Sequence, residues 1–121
     1  MTSVSEALQV AVGLFDQQRF FEAHEFLEWI WKSDEVPAAD RDYWKGVTQV
    51  AVGYVHTQRG NARGALTLLR RAQGHMAPYP SPYRGVDRDA LAAGTQEVIG
   101  RIQRSGPSPD LDFPRFPLNP P

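Results

Sequence analysis

One short stretch of this 121-residue chain, FFEAHEFLEWIW at residues 20–31, sets an imidazole and three carboxylates among bulky aromatics. On a helix, His24 and Glu28 are i, i+4 and therefore neighbours on one flank. Glu25 is adjacent, and Glu22 lies one turn before it. A second polar pair, Gln49 and His56, is spaced i, i+7 within GVTQVAVGYVHTQ, residues 46–58. If the two faces meet, two imidazoles and two or three carboxylates converge between helices, which is how bundles build metal and cofactor sites. Imidazole and carboxylate without thiolate suit zinc, iron or manganese, with His24, Glu28 and His56 as the ligands. The same groups, with Glu25, can instead act as general acid and base in a hydrolytic step.

A histidine next to a glutamate on a helix border commonly forms a satisfied structural pair. Gln49, on an otherwise apolar helix, can then be the hydrogen-bond partner that a buried polar group needs. The Glu-x-x-His pair of di-metal bundles is absent, and so is His-Glu-x-x-His. Structural network, ligand pocket and metal or acid–base site therefore all stay open. The glycines of GNARG at 60–64 make too short a loop for phosphate and lack the lysine–serine end.

These residues need helices to position them, and the periodicity supplies five. Ser3 or Ser5 caps a first helix ending near Gln18. The aromatic stretch forms a second, from Phe20 to Ser33, with Phe20, Ala23, Phe26, Leu27, Ile30 and Trp31 on one face and Trp29 outside it. A third runs from beyond Pro37 to Arg59 and carries no charge from Gly46 to Gln58, the mark of a bundle centre. Gly46 and Gly53, a heptad apart on the same strip as Gln49 and His56, point to a close helix contact there. Gly60-Asn61 ends that helix and starts a fourth, Ala62 to His75. Asp87 caps a fifth, to about Arg104.

Residues 106–121 hold six prolines in sixteen positions and cannot be helix. They also hold Leu111, Phe113, Phe116 and Leu118, which a solvated linker does not need. The expectation is one domain: a helical bundle over 1–105 and an extended strap over 106–121, laid on the bundle or on a neighbour. The fold class is thus all-α, a compact bundle of about five helices.

The bundle has an internal repeat. QVAVGLFDQQR (9–19) and QVAVGYVHTQR (49–59) agree at seven of eleven positions with an offset of 40. A two-residue slip at Gly60-Asn61 then brings Ala23 over Ala65 and Leu27 over Leu69. Two copies of one helical hairpin follow, each burying its apolar face on the other. The second copy is also similar to a tetratricopeptide unit at Gly53, Ala65, Leu69 and Ala72, but two copies are too few for a solenoid.

Composition narrows the function classes. There is no cysteine, which removes disulfides and thiolate metal sites and fits a reducing, cytoplasmic setting. No apolar run approaches the roughly 18 residues of a membrane span, so no membrane partner is expected. Net charge is −1, but residues 1–40 carry eight acids against Arg19 and Lys32, while residues 41–105 carry ten Lys and Arg against four acids. The simplest account is that the two halves lie against each other. Arg59, Arg63, Arg70 and Arg71 offer a nucleic-acid surface, but no interleaved aromatics accompany them, which argues against it.

The phrases FFEAHEFLEWIW and WKGVTQVAVGYVHTQRGNARGAL, with a late FPRF, resemble domain-of-unknown-function family 309, small prokaryotic helical proteins. Residues Phe15 to Ala72 carry the resemblance, through Glu22-Ala23-His24-Glu25, Glu28, Trp31, Gln49, His56, Gly60-Asn61 and Gly64-Ala65. It implies a compact all-helical fold and no particular activity or cofactor. The function reading is a module that binds a partner protein or a second copy of itself, through Trp29 and the tail aromatics. The alternative is a metal-dependent or acid–base enzyme centred on the His/Glu cluster between the second and third helices.

Overall fold

The computed structural model describes residues 3–120. Five α-helices follow one another: α1 (Val4–Asp16), α2 (Phe20–Lys32), α3 (Arg41–Gln58), α4 (Ala62–Met76) and α5 (Arg88–Ser105), with a 3-10 turn (Ala38–Asp40) leading into α3. Three of the five starts have a local side-chain cause. Ser3 accepts the Glu6 amide at 3.1 Å, Asn61 accepts that of Gly64 at 3.0 Å, and Asp87 accepts that of Ala90 at 3.0 Å, so three helices have side-chain caps on otherwise unpaired N–H groups.

Successive helices pack on one another, with α3 between α2 and α4. Its Tyr43, Val47, Val50, Ala51, Tyr54 and Val55 are buried, as its uncharged sequence requires. From α2 come Phe20, Ala23, Leu27 and Ile30, all fully buried. Phe26, Trp29 and Trp31 are half-buried against the same core, so Trp29 is less outward than its helical angle implies.

The two hairpins close identically. The Arg19 amide donates to Leu14 O at 2.9 Å around Gln18 at φ 61°, and the Asn61 amide donates to His56 O at 2.9 Å around Gly60 at φ 78°. Both are helix ends closed by a left-handed residue. The equivalent positions are thus 42 residues apart, not the 40 of the literal QVAVG match. Two residues turn a helix by about 200°. Gly13 and Gly53, aligned by sequence, therefore face opposite sides of their hairpins. A Cβ on Gly13 would meet no neighbouring element within 4 Å, whereas one on Gly53 would lie 2.5 Å from Leu69 Cδ2. The residue of α1 in the place of Gly53 is Ala11, which is buried. Gln58 Nε2 donates to Gln18 O at 3.0 Å and ties the two turns together.

Among the described residues beyond α5 there is no helix, but the segment contributes to the core. Phe113 and Phe116 are buried, and their rings lie 4.9 Å from Phe20 and 5.3 Å from Phe15, edge to face. Tyr54 joins them at 5.1 Å from Phe113. Each such ring contributes about 1.5–3 kcal/mol by leaving water. Asp16 fixes the register by accepting the Phe116 amide at 2.7 Å and Arg115 Nη2 at 3.2 Å.

Candidate functional site

The α2 end of the expected cluster forms as its spacing implies. His24 Nδ1 donates to the Phe21 carbonyl, which leaves Nε2 facing Glu28 Oε2 at 3.9 Å. The Phe21 ring, half-exposed, lies edge-on to the imidazole at 4.9 Å, and Arg59 stacks over that ring at 5.6 Å. Glu28 takes a 2.7 Å bond from Lys32, which holds its carboxyl below the ordinary value. Glu25 is exposed.

The α3 end goes elsewhere. Gly46, Gln49, Gly53 and His56 do share a strip, but that strip faces α4. A Cβ on Gly46 would lie 2.9 Å from Met76 Cγ and 3.0 Å from His75 Cβ. Gln49 Oε1 accepts from His75 Nδ1 at 2.7 Å, so His75, rather than His24, is its partner. His56 Nδ1 accepts from Asn61 Nδ2 at 3.0 Å. The amide of Asn61 cannot be reversed there, because its oxygen already caps Gly64. The small residues that let α3 and α4 approach carry their polar neighbours into the same seam. His24 with Glu28 and Gln49 with His56 thus serve different contacts. Among the described residues no group of three or more His, Asp or Glu is placed to hold a metal ion.

What α2 does build is an open groove of about 610 Å³, lined by Glu25, Glu28, Trp29, Lys32, Asp34 and Glu35. One half-buried indole sits among four carboxylates and a single lysine. On the opposite side of the charge balance, Arg59, Arg63, Arg70 and Arg71 are all exposed around α4. Among the described residues, Arg84–Asp40 is the one ion pair joining residues 1–40 to residues 41–105. The two halves do lie against each other, α2 on α3, but they meet mainly through apolar packing and cation–ring contacts rather than ion pairs.

That pair is also what sequence reasoning missed. Asp40 is 2% exposed and accepts from Tyr83 Oη at 2.5 Å and Arg84 Nε at 2.6 Å. Tyr43 lies against the same group, its ring 5.0 Å from Tyr83, and burial pushes its phenol well above the ordinary value. The available signal was Arg84-Gly85 in a proline-rich turn, a dipeptide suited to a tight reversal.

No helix among the described residues is long and apolar enough to cross a membrane. Two uncharacterized proteins are similar to the chain. One, from Aquifex aeolicus (strain VF5), is 26% identical over 112 residues, covering 90% of this chain and 32% of that protein. The other, YpuF of Bacillus subtilis (strain 168), is 44% identical over 50 residues, covering 41% of this chain and 28% of that protein. The matched part spans less than a third of either relative's length. The model of a domain of unknown function, DUF309, matches residues 8–68, which hold His24, Glu28, Gln49, His56 and both turns closed by a left-handed residue. The chain belongs to the DUF309 family.

Proposed function

We propose that the chain is a protein-binding module whose acidic groove beside Trp29 receives a basic polypeptide segment, with the arginine face of α4 in a second copy as the first occupant to test. The observation that carries this reading is the segregation of charge. Glu25, Glu28, Asp34 and Glu35 line the groove, Arg59, Arg63, Arg70 and Arg71 stand exposed elsewhere, and among the described residues one ion pair links the two halves. Opposed patches of this kind steer association and fix which partner docks. Trp29 adds apolar area and a ring face for a guanidinium. The metal or acid–base reading needs His24, Glu28 and His56 together. Their observed partners lie in separate contacts, which favours the binding reading.

Light scattering across protein concentration at low and high salt tests self-association. Fluorescence titration with a peptide copying residues 59–71, against a Trp29→Phe control, tests the groove itself. The expected result is salt-sensitive binding that Glu25→Lys with Asp34→Lys abolishes. A strict monomer that also ignores the peptide at low salt refutes the reading.

A further inference from the structure

A second pocket, which shares only Glu35 with the acidic groove, lies where the start of α1 meets the 3-10 turn and the loop before α5. Its volume is about 450 Å³, within the range of small-molecule sites. Val4, Leu8, Val36, Pro37 and Trp44 give it an apolar wall, and Asp40, Arg84 and Glu35 are its charged groups.

Arg84 is held in an unusual way. The Tyr83 amide donates to Val86 O at 2.9 Å and the Val86 amide returns to Tyr83 O at 3.0 Å, a two-residue reversal with Arg84 at φ 48° and Gly85 at φ 79°. Such turns favour Asn, Asp or Gly at both central positions, because a side chain at positive φ is strained. Arginine occupies the first of them here, and two contacts hold it. Buried Asp40 takes its Nε at 2.6 Å, and the Tyr83 ring lies 5.3 Å beneath the guanidinium. Backbone strain kept in place by a buried carboxylate marks a residue whose position matters beyond packing. With Nε engaged, the terminal nitrogens of the fork are left for a planar anion, and their orientation is fixed before any ligand arrives. Asp40, almost fully buried, accepts from Tyr83 Oη and Arg84 Nε and so anchors the guanidinium at the pocket, neutralised in part by it.

We propose that this pocket binds a small carboxylate with an apolar body, the carboxylate on the outer edge of Arg84 and the body against Leu8, Val36 and Trp44. Glu35, on the same rim, accepts the Val4 amide through one oxygen at 3.2 Å and has the other for a ligand ammonium. Free apolar acids and apolar α-amino acids share the recognised chemistry, and Glu35 separates them.

The test titrates the full ¹⁵N-labelled chain with 3-phenylpropionate and, separately, with phenylalanine, following the Trp44 indole and Arg84 Nε resonances. Saturable shifts with either acid in the millimolar range are expected. A stronger response to phenylalanine, reduced by Glu35→Gln, assigns the ammonium to Glu35. Arg84→Lys keeps the charge beside Asp40 but loses the fork, and affinity falls about tenfold. Ser5→Trp, at an exposed lining position away from the Asp40 pair, blocks the pocket and abolishes the shifts. No saturable shift with either acid, or shifts that persist in Ser5→Trp, overturns the proposal.

Discussion

Gly53→Ala should destabilise the protein while Gly13→Ala stabilises it, although the two glycines occupy the same place in the repeated QVAVG phrase. In a helix interior, alanine is favoured over glycine by about 1 kcal/mol. At Gly13 a Cβ would meet no neighbouring element within 4 Å, so that gain is realised, at about 0.5–1 kcal/mol. At Gly53 the new methyl meets Leu69 Cδ2 at 2.5 Å and Cγ at 2.7 Å. Carbon atoms rest about 3.5–4.0 Å apart, so roughly 1 Å must be found. Leu69 is fully buried, so its side chain can move only by displacing packed neighbours. The space must come from moving α4 outward, against the Gly46–Met76 approach and the Gln49–His75 bond. Overpacking of this kind costs about 1–3 kcal/mol, at the upper end when a helix must shift. Subtracting the propensity gain leaves a net loss of about 1–2 kcal/mol, a fall in Tm of roughly 4–8 °C for a chain of this size. Paired thermal and urea melts of the two variants measure it. Leu69→Ala should also cost less in the Gly53→Ala background than alone, because the methyl occupies part of the vacated space. A Gly53→Ala protein as stable as the parent, or more so, refutes the assignment of the close seam to α3 and α4.

Two further outcomes follow from the same contacts. Asn61→Ala removes the α4 cap and the donor to His56 Nδ1 together, so a loss of about 1 kcal/mol is expected, with the His56 ring resonances moving in ¹⁵N NMR. Burial raises the phenols of Tyr43 and Tyr54 well above their ordinary value, opposed at Tyr54 by a hydrogen bond with Thr95. The folded state therefore holds these protons more tightly than the unfolded chain. Stability is fully present below the unfolded tyrosine value of about 10 and declines as pH rises beyond it. Absorbance at alkaline pH should show the two phenolates emerging only with unfolding; their appearance in the still-folded protein contradicts the burial argument.

The helices were legible because their signals are local. The serine, asparagine and aspartate caps, the uncharged run of α3 and the Gly60-Asn61 break each act within a few residues of where they stand. The repeat was legible too, with the 42-residue offset of its second helices, but the phase of its first helices was not. The literal match at offset 40 hides a structural offset of 42, and the difference is carried by Gln18, a non-glycine residue in the left-handed turn position that sequence alone gives no reason to place there. The same phase decides the site. The strip bearing Gln49 and His56 was correctly read as one face, yet which neighbour it faces depends on where Gly46 and Gly53 find room. That is a property of α4, through Ala65, Leu69, Ala72 and Met76. His24 and Glu28 needed only their own helix and were found together. Asp40 was one acid among eight until a turn some 43 residues later brought Tyr83 and Arg84 to it.

The rings of Phe113 and Phe116 have a consequence in time. A chain leaving the ribosome presents Phe15, Phe20 and Tyr54 long before the two rings that cover them. The hairpin α1–α2 can form early, since its turn bonds are local, and α3 and α4 can close their glycine seam without the end of the chain. The aromatic centre cannot close until about a hundred residues separate Asp16 from the amide it accepts at Phe116. Contacts at that separation are slow to form, and the apolar surface left waiting is a target for chaperones or for premature association. Synthesis thus passes through a stage in which the helices are present but their shared centre is still wet, and the emergence of Phe113 and Phe116 decides when it ends.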